Sequence, residues 1–353
     1  MKWIFRHRPM WIPITTICSP PFGTLYLGIK MKNILLVGAG NLGRRHLQSL
    51  KNSRGATRIF VVEPFDEARA LAETAFQQVT TDLPEKAISF HRSLDDVPSG
   101  IDIVIDATPA TGRLDVLKRV LALGAKDLVL EKVAFNSVSD IDQARALIDQ
   151  YAARAWVNCP RRLNPFYIQL RSLLANTPIS SIEVVGENFG MACNAIHFID
   201  LFSFLAGRHV YDINLGGVQQ IVPSKRSNYI EFFGVASGNF ASGPEFKIVC
   251  NESAAGVNFK IRIVTPIEEY LIDEVAGRAQ VTSRDGSARV VDFRQPYQSE
   301  LTGPLVDAII QDQQCGLTVF SESMALHRPF IDAAYELYAA KHEENLMRMV
   351  PIT

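Results

Sequence analysis

Residues 34–43 read Ile34-Leu35-Leu36-Val37-Gly38-Ala39-Gly40-Asn41-Leu42-Gly43. The unbroken apolar run suits a strand buried on both faces, as strands of a parallel sheet are. Behind it, Asn41 to Lys51 has apolar residues at helical spacing. The glycines fall where strand gives way to helix. Gly38 permits the tight turn, Gly40 lets the backbone approach an anion, and Gly43 lets helix and strand pack closely. A helix beginning here offers free N–H donors and partial positive charge. Gly38, Gly40, Asn41, Leu42 and Gly43 are therefore the expected contacts to a bound pyrophosphate.

Working outward, short apolar runs alternate with amphipathic helical stretches as far as Asn158. Strands are predicted at Asn33–Val37, Arg58–Glu63, Ile101–Asp106, Asp127–Leu130 and Ala155–Asn158, with helices at Asn41–Lys51, Asp66–Phe76, Arg113–Leu123 and Val138–Tyr151. This pattern predicts an α/β fold, a doubly wound parallel sheet over residues 31–158. At Cys159-Pro160-Arg161-Arg162 the rhythm breaks. A helix at Phe166–Ala175 and strand-like stretches follow, with further helices at Ala195–Leu205, Glu300–Gln311 and Ser321–Lys341. Residues 159–353 thus read as an α+β domain with a largely antiparallel open sheet.

The chain has 353 residues, 47% hydrophobic and 21% charged, enough for two ordinary cores. Its 36 basic and 37 acidic side chains are interspersed, leaving no basic face for nucleic acid. Five widely spaced cysteines without a CxxC pair fit neither a disulfide framework nor a zinc cluster, and point to a reducing cytoplasm. The apolar runs are too short to span a bilayer. Residues 1–30 lack periodicity, and Pro9, Pro13, Pro20 and Pro21 interrupt any leader-like stretch. They read as a disordered extension or a start assigned too early.

The second strand ends at Glu63, twenty residues beyond Gly43. An acid there is placed to bond adenosine ribose hydroxyls and to repel a 2′-phosphate, which favours NAD over NADP. Arg69 is the nearest downstream cation able to offset that repulsion.

Together with this loop, Ala107-Thr108-Pro109, Glu131-Lys132 and His197 resemble the glucose-fructose oxidoreductase, inositol dehydrogenase and rhizopine-catabolism (Gfo/Idh/MocA) family. The resemblance covers nearly all of residues 31–353. It implies a Rossmann domain joined to an α/β domain whose open sheet forms homo-oligomer contacts, acting on a small carbohydrate-like substrate. It also implies hydride transfer between nicotinamide and a hydroxyl or carbonyl carbon of a sugar, nucleotide sugar or cyclitol. Thr108, Pro109, Glu131 and Lys132 would touch the cofactor, and Lys132 would also stabilise developing alkoxide charge. His197 would exchange the hydroxyl proton.

Two positions depart from the family pattern. Val133 stands where the family's Glu-Lys-Pro has proline, and Cys193 replaces an aspartate four residues before the histidine. Asn194 is expected to take over part of that aspartate's hydrogen bonding, or Asp200, near the next turn of the helix, to orient the imidazole instead. Arg161 or Arg162 would receive an anionic substrate group, and Tyr167 is a candidate for the cleft wall. Cys193, His197 and Asp200 lack a complete ligand set, so no metal is expected. Ser323 and His327 lie a helical turn apart but without an acidic orienter or strained elbow, and read as structural. The altered motifs leave two alternatives: a non-catalytic NAD(H)-binding sensor, and a glycosidase or epimerase that uses NAD without net redox.

Overall fold

The structure, a computed structural model, describes residues 32–340, 342 and 348–353. The extension expected at 1–30 and the helix end expected at Lys341 lie outside the described residues. The first unit comprises β1 (Lys32–Val37), α1 (Asn41–Leu50), β2 (Ala56–Val62), α2 (Asp66–Gln77), β3 (Ala87–His91), β4 (Ile103–Asp106), α3 (Arg113–Ala122), β5 (Asp127–Glu131), α4 (Val138–Gln150) and β6 (Arg154–Asn158). Across the sheet the order is β6-β5-β4-β1-β2-β3, all parallel. Strand order reverses between β1 and β4, so a crevice opens at their carboxyl ends. The glycine loop and Ala107-Thr108-Pro109 both leave the sheet at that point.

The second unit contains α5 (Pro165–Leu174), β7 (Ser181–Glu187), α6 (Met191–Ala206), β8 (Tyr211–Pro223), β9 (Ile230–Phe240), β10 (Glu245–Asn251), β11 (Asn258–Val264), β12 (Glu268–Asp273), β13 (Arg278–Ser283) and β14 (Ala288–Asp292). Its eight strands run in the order β14-β13-β12-β11-β7-β10-β9-β8, antiparallel throughout except for the parallel β7/β10 pair. The mixed α/β architecture expected from the sequence is the one found. Helix α6 is apolar nearly all round because it is sandwiched in the core, with Phe198 and Phe202 buried against Phe259 and Phe246. Its amino end, after Gly190, faces the first unit near Lys132.

The division expected at residue 158 is crossed again near the carboxyl end. Helix α7 (Gln298–Asp312) packs on α1, and β15 (Thr318–Val319) adds antiparallel to β6 as an edge strand of the first sheet. Leu305, Val306, Ile309 and Leu317 accordingly join the core of β1 and α1. Helix α8 (Phe320–Ala339) then lies against β6 and β8, touching both units. Finally, Pro351 accepts from the Ile230 amide of β9, while the Thr353 hydroxyl accepts from the Ala110 amide after β4.

The α1–α7 contact is close because Gly303 has no side chain. A Cβ there would meet the Ser49 carbonyl oxygen at 2.5 Å, and the Gly303 amide donates to Ser49 Oγ at 2.8 Å. Substituting Gly303→Ala is expected to destabilise the protein by roughly 1–3 kcal/mol through overpacking. Urea denaturation would read this as a lower midpoint with unchanged slope; an unchanged midpoint would show that the helices separate freely.

Candidate active site

At the crevice, Gly38 has φ +85°, and a Cβ on Gly43 would sit 2.0 Å from the Gly38 carbonyl oxygen. Only glycine fits at Gly43 without moving the backbone. By contrast, a Cβ on Gly40 would meet no atom within 4 Å, which leaves room for a diphosphate over the loop. No side chain caps the amino end of α1, so its first N–H groups face that space. Loop and helix end therefore fit a dinucleotide. Glu63 lies just beyond β2, where its Oε2 accepts from the Ala39 amide at 2.8 Å and its Oε1 from Phe65 at 3.1 Å. Arg69 turns its guanidinium back to the Glu63 carbonyl and to Asp66.

Behind this loop, Arg113 opens α3 and is buried. Its Nη1 donates to the carbonyls of Glu131, Val133 and Ala134 at 2.6–2.8 Å, and its Nη2 to that of Thr108. Two loops are thereby tied together. Asp106 stands 3.8 Å from Arg113 Nε and accepts from Thr108 through Oδ1. Burial pushes the Asp106 carboxyl above its usual range, against the pull of Arg113. The Glu131 carboxylate bonds His46 of α1 at 2.9 Å and also accepts from Asn158. Burial opposes its charge, but those bonds and nearby Lys132 together hold Glu131 below the ordinary carboxylate range.

The Lys132–Val133 peptide is cis. His327 of α8 supports the turn that follows. Its Nδ1–H donates to the Ser323 carbonyl at 2.8 Å, and its Nε2 accepts from the Ala134 amide at 3.2 Å. Only a neutral imidazole can do both. Burial, with the charges of Arg113 and Lys132, lowers its pKa to about 4. The structural reading of Ser323 and His327 thus acquires a specific task, bracing the backbone next to Lys132.

Lys132 Nζ reaches across to the Cys193 carbonyl at 3.1 Å. It lines a cavity of about 660 Å³ with Cys193, Glu231, Lys225, Arg226 and Thr353. Glu231 of β9 approaches the amino end of α6, where its Oε2 accepts from the Ala192 amide at 2.9 Å. A Cβ on Gly190 would meet Cys193 Sγ at 2.9 Å and Glu231 Oε1 at 3.0 Å, so thiol and carboxylate crowd one corner. Burial and the Glu231 charge push the Cys193 thiol up to about 12, keeping it protonated at neutral pH. His197, one turn along α6, has an Nδ1 shut from solvent and without a hydrogen-bond partner among the described residues. Burial first, then Lys132 and Arg161, depress its pKa well below the ordinary value.

The remaining candidates are engaged elsewhere. Arg161 forms a bidentate pair with Glu274 at 2.8–3.1 Å, and the buried Tyr167 hydroxyl donates to the same carboxylate at 2.6 Å. Arg162 pairs with Asp200 at 2.6 Å, and Thr318 also donates to Asp200, so both oxygens of that carboxylate are engaged away from the cavity lining. Asn194 donates back to the Phe189 carbonyl. Among the described residues no group of three metal-ligating side chains gathers, and no helix is long and apolar enough to cross a membrane.

A neutral, buried His327 binds no proton where the unfolded chain does, between about pH 4 and 6.5. The unfolded state then gains as pH falls, so the stabilisation from His327 is whole above about pH 6.5 and is lost toward pH 4. His327→Gln is therefore expected to lower the melting temperature by several degrees at pH 7.5 and by less at pH 5. Calorimetry at both values checks this; an equal deficit at both would mean that the imidazole is not held neutral.

The sequence profile of the Gfo/Idh/MocA oxidoreductase family, NAD-binding Rossmann fold, matches residues 32–159. No curated protein matches the chain in sequence. Among solved structures, it is similar to a UDP-N-acetylglucosamine 3-dehydrogenase from Acidithiobacillus ferrooxidans, with 14% identity and TM-score 0.67 over 86% of this chain and 96% of that one. A scyllo-inositol dehydrogenase from Lactobacillus casei has 16% identity and TM-score 0.63 over 86% and 95% of the two chains. A Synechocystis biliverdin reductase, solved with biliverdin and NADP+, has 11% identity and TM-score 0.67 over 86% and 98%. At such identities the likeness is one of fold. By its profile match and glycine loop, the segment 32–159 is an NAD(P)-binding Rossmann domain of the Gfo/Idh/MocA oxidoreductase type, and the two-sheet architecture of the chain is the fold of these solved structures.

Proposed function

We propose that the protein catalyses reversible hydride transfer between NAD(H) and the carbinol carbon of a small, sugar-like substrate. The observation that carries this reading is Lys132, whose ammonium sits at the end of β5 beside the crevice and also lines the 660 Å³ cavity. The loop Gly38–Gly43, Glu63, Thr108, Pro109 and Glu131 are assigned to holding the dinucleotide, which when bound supplies the hydride acceptor or donor. Lys132 orients the reacting oxygen and stabilises negative charge on it as its proton leaves. His197, one helical turn from Cys193, does not line that cavity, and the proton exchange expected of it falls to a group that does.

The cavity suits a ligand of monosaccharide size or larger. On the loop between β8 and β9, Lys225 and Arg226 line it without a carboxylate within 4.0 Å among the described residues. They replace Arg161, which Glu274 occupies, as the groups for an anionic substituent such as a sugar carboxylate or phosphate. The face of the second sheet away from α5, α6 and α8, with Val185 exposed, is where a second copy would seat.

Glu63 stands as the ribose-binding acid, and Arg69 is tied to its own backbone and Asp66, which supports NAD over NADP. NADH is expected to bind at least tenfold more tightly than NADPH by fluorescence titration, and Glu63→Ser to narrow that ratio. Equal affinities would sink the preference. On a panel of sugars, nucleotide sugars and cyclitols with NAD, Lys132→Ala is expected to lower kcat by about 10²–10³-fold. Tight NADH binding with no turnover across the panel would favour a non-catalytic binding protein.

A further inference from the structure

We propose that Glu231 of β9 is the reaction site's carboxylate, taking the proton that the substrate hydroxyl loses. This rests on the hydride-transfer reading of the same site. Lys132, Cys193 and Glu231 line one cavity, whereas His197 does not. Position 193 on α6, where the family pattern carries an aspartate, holds a thiol lying against Glu231. The side chain of Glu231 reaches that place from another element and is held there by the Ala192 amide at 2.9 Å. The partial positive charge at the amino end of α6 favours an anion in that position.

The groups facing Glu231 are Lys132 just after β5, the thiols of Cys193 on α6 and Cys250 on β10, and the amides opening α6. Arg226 lies nearby, acting on Cys193. Burial raises the Glu231 carboxyl above its usual value, toward neutrality, where a base that must also release its proton works best. His197 has moved the other way and holds a proton poorly. In oxidation, the carbinol carbon gives up hydride to the bound dinucleotide and the hydroxyl gives its proton to Glu231. The C–O bond becomes a carbonyl, and the carboxyl then passes the proton to water. Reduction runs the same steps backwards.

Two measurements test the assignment. The first follows alkylation of Cys193 by iodoacetamide between pH 8 and 10, resolved by peptide mass spectrometry. Removing the neighbouring charge in Glu231→Gln is expected to speed alkylation at least threefold; an unchanged rate would overturn the placement whether or not a substrate is known. The second measures kcat against pH for a substrate found on the panel, in the direction of oxidation. The wild-type rate should fall as pH drops through the raised carboxyl pKa. Glu231→Gln should lose that limb and about 10²-fold in kcat with NADH affinity kept, and Glu231→Gln/Cys193→Asp should regain at least tenfold. Wild-type kcat and pH profile in Glu231→Gln would overturn the proposal. Absence of any wild-type turnover, by contrast, would fail the hydride-transfer reading itself.

Discussion

The arrangement of the site depends on one buried guanidinium. Arg113 bonds carbonyls from Thr108 after β4 and from Glu131, Val133 and Ala134 around the end of β5, so it clamps together the two loops that flank the crevice. An unpaired cation so deeply buried would be costly. Asp106 balances its charge from 3.8 Å, and the carbonyls engage Nη1 and Nη2 in a rigid fork that a lysine could not match, while Nε has no hydrogen-bond partner among the described residues. Around this clamp the other supports are arranged in series. His327 holds the amide of Ala134, His46 joins α1 to Glu131, and Gln298 of α7 links Asn158 to Thr302. A buried hydrogen bond thus connects α1 to the residue preceding Lys132.

This explains why the chain returns to its first unit after building its second. Without α7 against α1 and α8 against β6, His46 would lose Thr302 and Ala134 would lose His327. Each loss leaves a buried polar group unpaired, at about 1–3 kcal/mol apiece. The return also fixes the second unit relative to the crevice, since α8 contacts β8 as well. Lys132 is thereby held against a cavity whose remaining lining comes from the second unit and from Thr353.

Much of the fold was legible because its signals are local. Buried parallel strands such as β1 and β5 are continuous apolar runs, and the glycine spacing marks a turn that tolerates no other residue at Gly43. What escaped was strand β3, half-buried at an edge, and β8, whose pairing shifts register between Asn214 and Gly217 and again between Val218 and Gln220. The short strand β13 and the edge strand β14 beside it also gave little pattern to read. At the site, the motif pointed to Lys132, which lines the cavity, and to His197, which does not. Arg161, Tyr167 and Asp200 could not be placed, because their partners Glu274, Arg162 and Thr318 are distant in sequence. One signal for Arg113 was present: a cation at the first position of a helix opposes the helix dipole and requires compensation from elsewhere.

Glu231 and Cys193 illustrate why a departure from a motif is a question about charge and not about identity. An aspartate at position 193 beside Glu231 would place two carboxylates in one desolvated corner, where both could not ionise readily. A thiol has no such conflict. It remains neutral, donates weakly, and fills the space that Gly190 leaves open. In the proposed reaction one anion opposite Lys132 at the amino end of α6 takes the proton, and either the helix or the neighbouring strand can deliver it. The altered helix motif and the glutamate on β9 are then two halves of one arrangement, and the first can be understood only once the fold has brought the second beside it.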